Sequence, residues 1–267
     1  MPPALIVDAG AIAVAAGPVE TTVVAGAGST FTVRNQALSS NVALLDVFYA
    51  GAAVGEVRIV SPKLVPVSNG IRIQTPLGTN PGLLPGPPFQ ALTPQDNLTV
   101  SVNGTAADVN MAGIQSYYDD LPGSAMQLKM PGDVLGSTEY VFGWPVAAVA
   151  GAIAGNQAST VITTTVDSSD ANRWYAVLGY VVDIACGLVG ISGVDTSQLF
   201  VGGPGTLKSE YTRTYFADLS MRTGKPCVPL FNAANKANTN VVAVDYAAST
   251  APHVTLLLAE LNATYQP

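Results

Sequence analysis

The chain has 267 residues, of which 48% are hydrophobic and only 11% charged, against a usual charged share of about 25%. That length suits one large β domain or two of about 100–150 residues, and so apolar a composition excludes a disordered chain. The net charge of −7 is carried with 11 basic residues scattered thinly and none in the first 33 positions. This lacks the clustered Lys and Arg that neutralise phosphates, so direct nucleic-acid binding is not expected.

The opening run, Met1 to Asp8, has no positive segment and Asp8 interrupts its apolar stretch, so it does not read as a signal peptide. With 26 Gly and 19 Pro, turns are frequent, and β-branched runs crowd the stretches between them. Helix is not favoured. Short strands are predicted over 30–34, 43–49, 56–60, 70–74, 98–103 and 109–118 in the first half. In the second half they are predicted over 160–166, 174–184, 188–192, 198–202, 210–219, 240–246 and 253–262. Turn residues punctuate them at Asn69-Gly70, Asn103-Gly104, Gly202-Gly203-Pro204-Gly205 and Thr223-Gly224-Lys225-Pro226. The most apolar stretch, 174–191, holds Asp183 and three glycines, and it reads as two buried strands rather than a membrane span.

Four blocks recur in one order with slowly drifting offsets, as loop insertions would produce. Ala43–Tyr49 matches Ala176–Val182, and Gly55–Ile59 matches Gly187–Ile191. Pro88–Ala91 matches Leu230–Ala233, and Asn97–Val102 matches Asn240–Asp245. The order predicts a tandem duplication with Phe89 equivalent to Phe231 and Asn97 to Asn240. Its join falls near Tyr117–Gly123, with residues 124–137 holding the one expected helical turn. Each unit then has six or more strands and a long excursion, at 75–88 in the first unit. That is the pattern of a jelly roll. The expected architecture is therefore all-β, two tandem jelly-roll β-sandwiches (a double jelly roll), over residues 1–137 and 138–267.

The repeated blocks, the Tyr117–Gly123 junction and the 174–205 stretch resemble the double jelly-roll major capsid proteins of tailless icosahedral viruses and phages. The resemblance spans the chain but rests on architecture, with no diagnostic motif. It implies a structural coat protein whose homotrimers form pseudo-hexagonal capsomers that tile the shell of a virion. It further implies a lattice of trimers, companion virion proteins such as a penton, and for many members an internal membrane. This chain is shorter than many members, and it lacks the basic arm of single jelly-roll coats that touch RNA. The alternative is a viral spike or fibre, or a carbohydrate-binding β-sandwich module.

No catalytic, cofactor or metal site is predicted, and no enzyme activity. The single histidine, His253, cannot build a several-His metal site on this fold, and no Gly-x-Ser-x-Gly elbow accompanies it. Asp119 and Asp120 are neighbours, whose side chains on a strand point to opposite faces, so they suit a turn better than an acid–base pair. Gly202–Ser209 lacks phosphate-loop spacing, and Pro204 removes one amide such a loop would use. The sequons at Asn97, Asn103 and Asn262 have no secretion signal behind them. Tyr117, Tyr118, Tyr140, Trp144, Trp174, Tyr175, Tyr211 and Tyr215 suit a core or subunit interface better than a sugar platform.

Cys186 and Cys227 could pair, but two buried reduced thiols is the expectation. The low charge makes surface cheap to desolvate, so a homotrimer or larger assembly with mostly apolar lateral contacts and weak salt dependence is expected.

Overall fold

The structure is a computed structural model. It describes residues 2–14, 20–26, 30–34, 41–51, 55–64, 70–74, 82–84, 90–104, 108–146, 157–161, 172–244 and 252–267. Phe89, the turn residue Asn69, most of the 75–88 excursion and the predicted strand residues 162–166 lie outside the described residues.

In the first half the strands are β1 (Ala4–Val14), β2 (Thr21–Thr22), β3 (Val24–Ala25), β4 (Val42–Ala50) and β5 (Gly55–Val60). They continue with β6 (Ile71–Gln74), β7 (Gly82–Leu84), β8 (Gln90–Leu92), β9 (Thr99–Gly104) and β10 (Asp108–Tyr118). After the junction come β11 (Leu128–Lys129), helix α1 (Pro131–Leu135), β12 (Thr138–Val146), β13 (Gln157–Val161), β14 (Trp174–Val182) and β15 (Leu188–Gly193). The last elements are β16 (Val201–Pro204), α2 (Ser209–Thr212), α3 (Tyr215–Thr223), β17 (Val228–Asn232), β18 (Thr239–Val244) and β19 (Val254–Leu261).

The protein is all-β, with four antiparallel sheets among the described residues. Sheet I runs β3-β1-β10-β4, with β7 and β8 both on the far side of β4, and sheet II runs β2-β9-β5-β6. Sheet III runs β11-β17-β14-β19-β12, and sheet IV runs β13-β18-β15-β16. Matched in chain order, β1-β10-β4-β8 has the same arrangement as β12-β19-β14-β17, and β2-β9-β5-β6 the same as β13-β18-β15-β16. No described strand before the 117–123 junction pairs with a strand after it, and β11, which the sequence placed in the first unit of 1–137, instead pairs with β17 in sheet III.

The strands form because apolar side chains recur at every second position and so share a face. Val57, Ile59, Val100, Val102 and Ile73 of sheet II are buried together with Ile6, Val47, Ile114 and Tyr118 of sheet I. In the second half Val189, Ile191, Val201, Val241 and Ala243 of sheet IV are buried with Tyr175, Tyr180, Leu256 and Leu258 of sheet III. Each such side chain contributes about 1.5–3 kcal/mol when taken out of water.

All four repeated blocks fall on strands that hold corresponding places. Within the first block the correspondence extends to an irregularity. In β4, Asp46 pairs with Gln115 and Leu44 with Ser116, which leaves Leu45 as an extra residue. In β14, Gly179 pairs with Leu257 and Val177 with Leu258, which leaves Leu178 extra. Leu45 and Leu178 stand at the same place in the block, so both strands carry a β-bulge at one position.

Two residue equivalences need correction. Ile59 pairs with Val100 and Ile191 with Val241, so the counterpart of Asn97 is Asn238 rather than Asn240. A two-residue slip keeps every side chain on its face, which is why the apolar pattern could not reveal it. Phe231 stands opposite Tyr175 as Leu92 stands opposite Val42, which makes Leu92 its counterpart.

The predicted strand at 210–219 is instead α2 and α3. Alternating Tyr and Thr suggested a strand, but Tyr215, Phe216, Leu219 and Ser220 bury one helical face. Gly224 ends that helix in the left-handed region at φ 66°, and its N–H donates to the Ser220 carbonyl. The expected helical turn at 124–137 is α1, and it is thus not the sole helix. Gly202–Pro204, expected as a turn, belongs to β16, while the predicted strand at 198–202 begins only at Val201.

Candidate interaction surfaces

The two halves meet through the outer face of sheet I. Val7, Ala9, Phe48, Ala50 and Met111 project from it into a buried cluster with Leu188, Phe200, Val242 and Val244 of the second half. Val7 and Ala9 of β1 and Phe48 and Ala50 of β4 therefore face sheet IV, while their neighbours face the first core. Phe200 needs room to lie flat. A β-carbon on Gly190 or Gly202 would sit 2.7 or 2.6 Å from its ring, so only glycine suits either position. The Val7 N–H donates to the Phe200 carbonyl at 3.0 Å.

Helix α3 and the turn after it line one margin of this seam and supply most of its polar bonds. Arg222 donates both guanidinium nitrogens to Asp46, at 3.1 and 2.6 Å. Gln115 donates Nε2 to the Gly202 carbonyl and accepts from the Tyr215 hydroxyl, both at 3.0 Å. Lys225 reaches Asp119 at 2.8 Å and lies over the Tyr117 ring. Burial pushes the Asp46 carboxyl above its usual range, against the opposing pull of Arg222. The same cause raises Asp8 despite its partner Arg34, and keeps Tyr180 and Tyr215 protonated.

The residues singled out in the sequence divide between core, seam and surface. Tyr118, Tyr175 and Tyr215 are buried, with Tyr175 stacked on Phe231 at 5.5 Å, and Trp144 is nearly so. That placement removes most of the platform an open sugar site would need, leaving Tyr140 and Tyr211 as exposed rings. Asp119 binds Lys225, so the Asp119–Asp120 pair sits at the seam margin as a structural contact. His253 is exposed and joins Asp183, with its backbone N–H and Nδ1 at 2.7 and 2.8 Å from the carboxylate oxygens. This pair ties the end of β14 to the start of β19. Asn97 accepts from the Thr32 hydroxyl on the surface, and Asn262 accepts from Thr264. Thr105 of the Asn103 sequon lies outside the described residues.

Cys186 and Cys227 are buried thiols and form no disulfide. Burial pushes the Cys227 thiol up to about 11, which keeps it protonated at neutral pH. Among the described residues no three His, Cys, Asp or Glu groups come together as a metal site, and no helix is long and apolar enough to cross a membrane. A cavity of about 320 Å³ opens beside the junction, lined by Arg34, Leu121, Ser124, Ser197 and Leu199. Sequence reasoning missed the seam. Its signal was a polar residue, Asp46 or Gln115, inside a strand that is apolar on both faces.

No family model matches the chain, and no curated protein does. Among solved structures, it is similar to the protein YhaK from Escherichia coli at 11% identity, over 98% of this chain and 86% of that one, with a TM-score of 0.22. It is similar also to the PBSX exported protein XepA at 9% identity, over 91% of this chain and 86% of that one, with a TM-score of 0.19. Likenesses at such scores carry no argument about fold or function.

Proposed function

We propose that the chain is a double jelly-roll coat protein that assembles with copies of itself into a virion shell. Naming the two sandwiches as jelly rolls rests on their strand orders, β1-β10-β4-β8 with β2-β9-β5-β6 and their counterparts. The observation that carries the functional reading is the seam. One sandwich buries the outer face of its sheet I against sheet IV of the next, and that contact is heterologous, joining two different surfaces.

A heterologous contact between equivalent units either closes into a ring or runs on as a filament. Three chains give six sandwiches, and a turn of about 60° from each to the next closes a pseudo-hexagonal trimer. Such a body tiles a shell by lateral contacts and asks for no catalytic group. The low charge supports it, because stable interfaces are depleted in Lys, Glu and Asp. The test is negative-stain microscopy with native mass measurement on the purified chain. Trimers or closed particles are expected, and a stable monomer at high concentration would overturn the reading.

A further inference from the structure

The cavity beside the junction draws its wall from three parts of the chain. Arg34 comes from the first half, Leu121, Pro122 and Ser124 from the junction, and Ser197 and Leu199 from the segment before β16. Its volume of about 320 Å³ lies at the lower end of the range that small-molecule sites occupy. Leu121, Pro122 and Leu199 make the wall aliphatic in part, while Arg34, Ser124 and Ser197 supply its polar groups.

Those polar groups have donors to spare. Arg34 gives Nη2 to Asp8 at 3.0 Å, but its buried Nε has no partner and its Nη1 meets no acceptor among the described residues. Ser124 is only 9% exposed, and its hydroxyl accepts from the Met126 N–H at 3.2 Å. The Ser197 hydroxyl accepts from the Ala125 N–H at 2.6 Å. Neither hydroxyl proton finds an acceptor among the described residues. A buried donor without an acceptor is costly, and in a native structure it marks a bound water, ion or ligand. No carboxylate lines the cavity. Asp8 is held by Arg34 and the Thr30 N–H, and Asp119 by Lys225. The missing partner is therefore an acceptor from outside the chain.

The backbone of this wall is also unusual. Ser197 and Gln198 are consecutive non-glycine residues in the left-handed region, at φ 55° and 61°. Such conformations concentrate at ligand sites and switches. Here the turn sets the Ser197 hydroxyl against the junction.

We propose that this cavity binds a small aliphatic carboxylate, held by Arg34 Nη1 and the hydroxyl protons of Ser124 and Ser197, with its tail against Leu121, Pro122 and Leu199. A guanidinium with donors left over matches a carboxylate in charge and in planar geometry. Because the wall spans both halves, the bound carboxylate ties Arg34 of the first to Ser197 of the second. A ligand held only by the folded chain stabilises it as its concentration rises. The site does not depend on the assembly proposed above, and it stands or falls separately.

Thermal unfolding of the full chain at constant ionic strength reads the site, with isovalerate set beside acetate and the neutral isostere isovaleramide. Isovalerate is expected to raise Tm with half-saturation near about 1 mM, in keeping with so small a ligand. The other two should need about tenfold more or higher, since one lacks the tail and the other the charge. An equal response to isovaleramide would overturn the carboxylate, and an equal response to acetate would mean an adventitious ion only. Leu199→Phe fills the cavity and leaves the Arg34–Asp8 pair intact, so it is expected to abolish the response. Arg34→Gln should weaken binding about tenfold or more, and if that variant fails to fold, Leu199→Phe decides alone. A folded Arg34→Gln chain that binds like the parent would remove the guanidinium from the site. Full response in Leu199→Phe, or none in the parent at about tenfold above the expected half-saturation, would overturn the proposal.

Discussion

Sheet I and sheet III have the same strand order, the same bulge and the same inward alternation, yet their outer faces differ. On β10 every residue from Met111 to Tyr118 is buried, whereas on β12 Val141, Gly143 and Pro145 are exposed. One fold thus imposes the inner face twice, because a sandwich needs two apolar rows to close. The outer face is set by what lies on it. Sheet I has its partner inside the chain and is buried on both sides, while sheet III keeps Val141, Gly143 and Pro145 of its edge strand exposed.

The largest test of that contrast is Phe48→Ala set against Val141→Ala. Phe48 fills the seam at 1% exposure, and its truncation is expected to cost about 3–5 kcal/mol in urea unfolding. Val141→Ala should stay within about 0.5 kcal/mol in the monomer, and equal losses would end the comparison. Next comes Gly190→Val, which drives a side chain into the Phe200 ring and the Val201 carbonyl. A loss of about 1–3 kcal/mol is expected, readable as a lowered Tm.

Arg222→Ala sharpens the comparison through pH. It leaves the Asp46 carboxylate buried without its partner and is expected to cost about 1–2 kcal/mol near pH 7, below the figure for a wholly buried pair because Arg222 is half in solvent. The Asp46 pKa is raised in the folded state, so the folded chain holds a proton more readily than the unfolded one. Stability from this group therefore rises as pH falls from neutral through the folded value, and is complete below about 3.9, the unfolded value. The variant, deprived of the Arg222 pull, should regain more Tm than the parent between about pH 7.5 and about pH 5. A smaller regain would show that Asp46 is not the titrating group. The smallest effect is expected at Arg72→Ala, in the ion pair with Glu56 on sheet II, within about 0.5 kcal/mol by thermal unfolding.

Strand positions were readable because the signals are local: 56–60 alternates polar and apolar residues, and 43–49 and 174–182 are short apolar runs rich in β-forming residues. The repeat was readable in order but not in register, since a slip of two residues, as at Asn97, leaves the pattern unchanged. Helix α3 was hidden behind Tyr211, Thr212, Arg213, Thr214 and Tyr215, whose β-forming types alternate, and it is decided by burial against β14 and by the Gly224 cap. The seam was not readable. Nothing local in Val42–Ala50 says that Phe48 meets Val242 rather than its own core, although Asp46 within that run marked a face with a polar partner to find.

The shared bulge at Leu45 and Leu178 also carries a date. An extra residue in a strand shifts the facing of everything beyond it, so it survives only if the surroundings accommodate it. Two separate insertions at one place in two units are a far more demanding history than a single insertion that was then copied. On that account the bent strand belonged to the single unit before it was copied, and the contrast between the two outer faces arose afterwards.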